Sequence, residues 1–175
     1  MKKEKSCCFI QGAFSFSSEF EEEKHISEQL KGKIKEQIDY LIEKEGITEF
    51  FCGMEEGADL FYADYVLSKK NKNDLKLHCV IPFEEQASFY SEEDRDLYFS
   101  VAQRSDSETI INKKRVHGCK EKRDNFMLEK SDVVIFLFDM ISPISCLNLQ
   151  KIEKHKKIIV INPLNSSQNP SFKCI

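Results

Sequence analysis

The chain has 175 residues, 41% of them hydrophobic, with a net charge of −4 and seven cysteines. That length suits one domain with an ordinary core, placed at residues 1–163, and the acidic balance excludes a general attraction to nucleic acid or to an anionic membrane surface. No stretch approaches the roughly 20 apolar residues of a membrane span. The cysteines show no C-x-x-C pair and no regular spacing, so they read as free thiols of a cytoplasmic protein rather than a disulfide scaffold. No apolar run long enough for a signal peptide follows the first five residues, so none is expected.

Residues 7–11 are apolar and suit a first buried strand, which Gly12 ends. Residues 13–23 are loop-like and then acidic. From His25 onward the apolar positions Ile26, Leu30, Ile34, Ile38, Leu41 and Ile42 make a helical stripe. Gly46 stands where a helix stop belongs. Ile47 to Cys52 is rich in β-branched and aromatic residues and reads as a second strand. Gly53 and Gly57 break it, and Leu60, Ala63, Tyr65, Val66 and Leu67 resume at helical spacing. A strand, a glycine loop and a helix in that order let backbone N–H groups approach a ligand. The same order also suits a plain turn that needs small residues for packing. Glu55 and Glu56 in the loop count against a bare phosphate.

Residues 75–81 form a third strand, closed by Pro82, which cannot continue a ladder. Residues 83–90 read as a loop. Ser91 with Asp94 three residues later opens a helix to about Arg104. Residues 108–111 are a short strand, 113–120 a basic loop, and 121–130 a helix. Residues 132–138 are the most hydrophobic run and predict a central strand covered on both faces. Ser142-Pro143 marks a turn, 144–154 a helix and 157–161 a last strand. The stretch 164–175 reads as a mobile tail. Strands alternating with helices predict an open α/β, Rossmann-like, mostly parallel sheet with helices on both faces. Ligands of such sheets bind beyond the carboxyl ends of the strands. The loops that matter are therefore 12–18, 53–59, 82–86 and 139–145.

Four stretches together resemble one family: Cys7-Cys8-Phe9; Gly53-Met54-Glu55-Glu56-Gly57-Ala58-Asp59 with Ala63, Val66 and Leu67; residues 80–88 around Pro82, Phe83 and Gln86; and Arg123 to Met127 running into Ser131-Asp132. Their order and spacing are similar to the YpsA-type branch of the SLOG superfamily, which is Rossmann-like and includes the Lonely-guy phosphoribohydrolases and the DNA-processing protein A. The resemblance implies a pocket for a nucleotide or nucleotide derivative at the strand ends, and an assembly of two or more copies. The loop 53–59 would take a phosphate or a sugar. Arg123 falls where the phosphoribohydrolases carry a functional arginine.

The departures are specific. Where the family has Thr-Gly-His-Arg after the first strand, this chain has Ile10-Gln11-Gly12-Ala13. The family's Gly-Gly-Thr loop reads Pro143-Ile144-Ser145, and Leu147 and Asn148 stand near the place of the catalytic glutamate. The resemblance with these losses implies a ligand-binding sensor or regulator with degenerate catalytic loops, with no cofactor required. Two other readings stay open: a nucleotide N-glycosidase or phosphoribohydrolase-like enzyme drawing an acid from Glu55, Glu56 or Asp139, and a ligand-free interaction domain with a protein partner.

The candidate ligand-binding residues are Gly12, Gly53, Met54, Glu55, Glu56, Gly57, Asp59, Phe83, Gln86, Arg123, Ser142 and Ser145. Each has a plainer alternative. Asp59 either caps a helix or meets a ligand hydroxyl. Glu55 and Glu56 either bind ribose hydroxyls, serve as a base, or are merely solvated. Arg123 either clamps a phosphate or pairs on the surface with Glu121 or Asp124. Phe83 either stacks on a base or packs beneath its loop, and Gln86 could read a base edge. Ser142 and Ser145 either donate to an anion or cap a helix. His117 and Cys119 supply too few ligands for zinc, so no metal site is expected.

Overall fold

The computed structural model describes residues 4–11, 21–137, 156–162 and 171–173. Its elements are β1 (Lys5–Gln11), α1 (Glu21–Tyr40), β2 (Ile47–Cys52), α2 (Ala58–Lys69), β3 (Lys76–Ile81), α3 (Glu92–Arg104), β4 (Ser107–Ile110), α4 (Cys119–Lys130), β5 (Val133–Leu137), β6 (Lys157–Ile161) and β7 (Ser171–Lys173). They build one sheet in the order β4-β3-β2-β1-β5-β6-β7. The first six strands are parallel, and β7 runs antiparallel to β6.

The period of two along each strand sorts side chains to two cores. On one face Cys7, Phe9, Phe50, Cys52, Leu77, Cys79, Ile135 and Ile159 pack with Leu30, Ile34 and Ile38 of α1, with Leu60, Tyr62 and Val66 of α2, and with Val101 of α3. On the other face Cys8, Ile10, Phe51, Val80, Val134 and Phe136 meet Met127 of α4. Helices thus cover both faces. All five residues of β5 are buried, as its continuous apolar run requires.

Local signals explain the element ends. Gly46 follows a π-helical turn (Leu41–Glu45) at φ 68°, and its N–H donates to the Leu41 carbonyl. Ser91 Oγ accepts from the Asp94 N–H at 3.1 Å and opens α3. The loop after β3 contains a 3₁₀ turn (Gln86–Phe89). Within the stretch read as a tail, Ser171–Lys173 forms β7, with Phe172 in register with Ile159.

β1 lies at the sheet's centre, and the strand order reverses direction there, between β1 and β5. The carboxyl ends of β1 and β5 flank this switch point, where open α/β sheets place their ligand crevice, and the carboxyl end of β2 lies next to that of β1.

Candidate functional site at the carboxyl end of the second strand

The loop between β2 and α2 is held at nearly every peptide. The Gly53 carbonyl accepts from Arg123 Nη1 and from Gln86 Nε2, each at 3.2 Å. The Met54 carbonyl accepts from the Tyr90 hydroxyl at 2.9 Å. Gln11, the last residue of β1, grips the far side: its Nε2 donates to the Glu56 carbonyl at 3.2 Å and its Oε1 accepts from the Asp59 N–H at 3.0 Å. Asp59 Oδ2 accepts from the Glu55 N–H at 3.0 Å, closing the loop on itself.

Two backbone positions in the loop are unusual. Gly57 has φ 88° and ψ −118°, a region that side-chain-bearing residues avoid. Met54, buried, has φ 59°; strain of this kind persists only where the surroundings over-determine it. Gly53 is required for a different reason. A Cβ there would lie 2.7 Å from Arg123 Nε and 2.9 Å from its Cζ. The guanidinium therefore packs directly on the glycine.

Arg123 is 4% exposed and fully engaged. Its Nη1 meets Glu55 Oε1 at 2.6 Å, its Nε donates to Asp124 Oδ1 at 2.9 Å, and its Nη2 lies 2.8 Å from the same oxygen. Lys120 Nζ also reaches Glu55 Oε1 at 3.0 Å. Burial alone would raise the Glu55 carboxyl, but Arg123 and Lys120 outweigh it and hold it below the usual carboxylate range. Burial pushes Asp59 up to about 7, only partly offset by Arg123. Glu56 is shifted upward by burial and by the nearby carboxylates of Asp94 and Glu55. Asp124 is shifted upward by burial, against the pull of Arg123.

Among the described residues no protein group accepts from the N–H groups of Glu56, Gly57 or Ala58. Side chains take the Glu55 and Asp59 amides, and Glu56 and Gly57 are partly exposed. Asp59 Oδ1 and Gln86 Oε1 are buried without a hydrogen-bond partner among the described residues. Donors and acceptors stand side by side here, and that pairing suits hydroxyl groups, which give and take a hydrogen bond at once.

Of the residues singled out from the sequence, Gly53, Met54, Glu55, Glu56, Gly57, Asp59, Gln86 and Arg123 converge on this loop. Phe83 is buried, 4% exposed, and Gln86 bonds the loop backbone. The pairing of Arg123 is with Asp124 and the distant Glu55, in a buried setting rather than on the surface. Gly12, Asp139, Ser142 and Ser145 lie outside the described residues. Sequence reasoning missed Gln11, Tyr90 and Lys120 as parts of the site, and named Asp124 only as a surface partner of Arg123. Lys120, Arg123 and Asp124 share one face of α4 through their i, i+3, i+4 spacing, a signal available in the sequence. Nothing local marked Tyr90. Among the described residues no three His, Cys, Asp or Glu side chains come together as a metal-holding group, and no helix is long and apolar enough to cross a membrane.

A family model described as the YspA SLOG family (YpsA) matches residues 13–161. A UPF0398 protein of Halalkalibacterium halodurans is 29% identical over 117 residues, covering 65% of this chain and 61% of the relative. A UPF0398 protein of Macrococcus caseolyticus is 27% identical over 126 residues, covering 71% of this chain and 66% of the relative. A third, from Levilactobacillus brevis, is 27% identical over 114 residues, 63% and 56% of the two chains. The matched region thus spans about three fifths of the length of these curated relatives.

Proposed function

The chain belongs to the YspA SLOG family as a divergent YpsA-type member, and from that premise we propose that it binds a nucleotide-derived small molecule and acts as a sensor or regulator. The ligand's ribose sits at the loop from Gly53 to Asp59. The observation that carries this reading is the set of amides at Glu56, Gly57 and Ala58, without protein acceptors among the described residues, beside the Glu55 and Glu56 carboxylates. A ribose diol donates to carboxylates and accepts from amides. A bare phosphate only accepts, and two adjacent carboxylates repel it.

The electrostatics favour binding over catalysis. A general base works best with its pKa near the operating pH. Glu55 is held below the carboxylate range with Arg123 and Lys120 on it, so it is a poor base and a good fixed acceptor.

Isothermal titration calorimetry with adenosine monophosphate, ADP-ribose and NAD tests the reading, alongside 2′,3′-dideoxyadenosine monophosphate. The expected result is binding of at least one ribonucleotide, with affinity falling about tenfold or more when the diol is absent or Glu56→Gln is introduced, because hydrogen bonds to a charged group contribute ~1.5–3 kcal/mol. Equal affinity for the dideoxy compound overturns the sugar seat. Release of free base during the titration would replace a binding module with an enzyme.

A further inference from the structure

A cavity of about 480 Å³ adjoins the glycine loop and has the opposite charge. It is lined by Arg115, Val116, His117, Gly118, Cys119 and Lys120. Lys120 belongs to both places, since it walls the cavity and lies 3.0 Å from Glu55 Oε1. In a chain of net charge −4, cations would ordinarily find carboxylates. Lys113, Lys114 and Arg115 have none within ion-pair distance among the described residues. The contact of Arg115 is instead with the ring of Phe89, at 5.6 Å, and that ring is 67% exposed.

We propose that this cavity is the subsite for the phosphate or pyrophosphate of the nucleotide derivative whose ribose occupies the loop. The proposal rests on the sugar-seat reading, which gives the loop to hydroxyls and leaves the anion to be placed. Arg123 is not available for it, because its three nitrogens are already engaged by Asp124, Glu55 and Gly53. Arg115 is. With one face toward Phe89, its planar edge is free to present paired N–H donors to an oxyanion. His117 and the ammonium of Lys120 add donors around the same space, and Lys113 and Lys114 add positive potential at its rim.

Calorimetry with inorganic pyrophosphate, ADP-ribose and adenosine separates this inference from the reading beneath it. The variants are Arg115→Glu, His117→Ala and, as a control on a distant exposed turn, Lys72→Glu. The side chains changed are exposed, and melting curves confirm that each variant is folded. The expected result is that pyrophosphate binds the wild type and weakens as salt shortens the screening length from ~10 Å to ~3 Å. Arg115→Glu weakens pyrophosphate and ADP-ribose about tenfold or more, His117→Ala weakens them less, and Lys72→Glu and adenosine affinity stay unchanged. ADP-ribose binding that is equal in wild type and Arg115→Glu overturns the phosphate subsite and leaves the sugar seat standing. A wild type that binds neither pyrophosphate nor ADP-ribose overturns the phosphate subsite, and one that binds no adenosine or ribonucleotide either overturns the sugar seat with it.

Discussion

Arg123→Met removes the charge at the centre of the site while keeping an unbranched apolar stem in its place. In the wild type the guanidinium holds Glu55 at 2.6 Å and Asp124 at 2.8 Å, and donates to the Gly53 carbonyl. Deleting one partner of a fully buried ion pair costs about 3–5 kcal/mol, mostly through the charges left behind. Here the Glu55 and Asp124 side chains keep 15% and 24% of their exposure, so water relieves part of the penalty and a loss near ~3 kcal/mol follows. For a chain of this size each kcal/mol moves Tm by about 2–4 °C, so the variant should melt roughly 6–12 °C lower at pH 7. The pH dependence has a definite sign. Glu55 is depressed in the folded protein, so its stabilisation is present above its unfolded pKa and is lost as pH falls through the folded one. In the variant, burial raises Glu55 and Asp124 with only Lys120 left to oppose it, and both gain protons as pH falls. The gap between wild type and variant should therefore shrink toward pH 4, and Glu55→Gln added to Arg123→Met should restore part of the loss at pH 7. Urea or thermal unfolding across pH measures this. A loss below about 1 kcal/mol, or one of constant size at every pH, would refute the reasoning.

Two further predictions concern the same loop. Gly53→Ala drives a Cβ to 2.7 Å from Arg123 Nε and should cost about 1–3 kcal/mol; in the Arg123→Met background the cost should fall, and a double-mutant cycle that shows strict additivity contradicts the close packing. Asp59 has its carboxyl raised from 3.8 to about 7, so its contribution is complete below the unfolded pKa and is lost as pH rises through about 7. At ~1.4 kcal/mol per pH unit the interval is about 4 kcal/mol at most; Asp59→Asn removes that slope, so the variant should gain on the wild type between pH 5 and pH 8, and parallel stability profiles would exclude it.

The sheet was legible because each strand alternates between two cores. Cys7 and Phe9 point one way and Cys8 and Ile10 the other, and the continuous run of β5 announced a strand buried on both faces. Gly46 and Ser91 marked helix ends through backbone chemistry that acts within a few residues. Errors of placement arose where that chemistry was concealed. α4 begins at Cys119, two residues before the expected start, because Gly118 takes a left-handed conformation at its head. Of the two readings of Arg123, the pairing with Asp124 is present, but it is buried rather than on the surface, because the second acid that helps to bury it, Glu55, is 68 positions away in the sequence. Gln11 stood in plain view as the polar residue ending an apolar strand, but its role as a clamp on Glu56 and Asp59 needs β1 and β2 side by side.

The central claim, that the loop from Gly53 to Asp59 seats the sugar of a nucleotide derivative, is tested most directly by titrating ¹⁵N-labelled protein with ADP-ribose and following the backbone amides. The account predicts that the Glu56, Gly57 and Ala58 resonances shift together and saturate, and that a Gly57→Val variant, which cannot hold φ 88° without strain, loses the response. Saturable binding that leaves those three amides unmoved would contradict it.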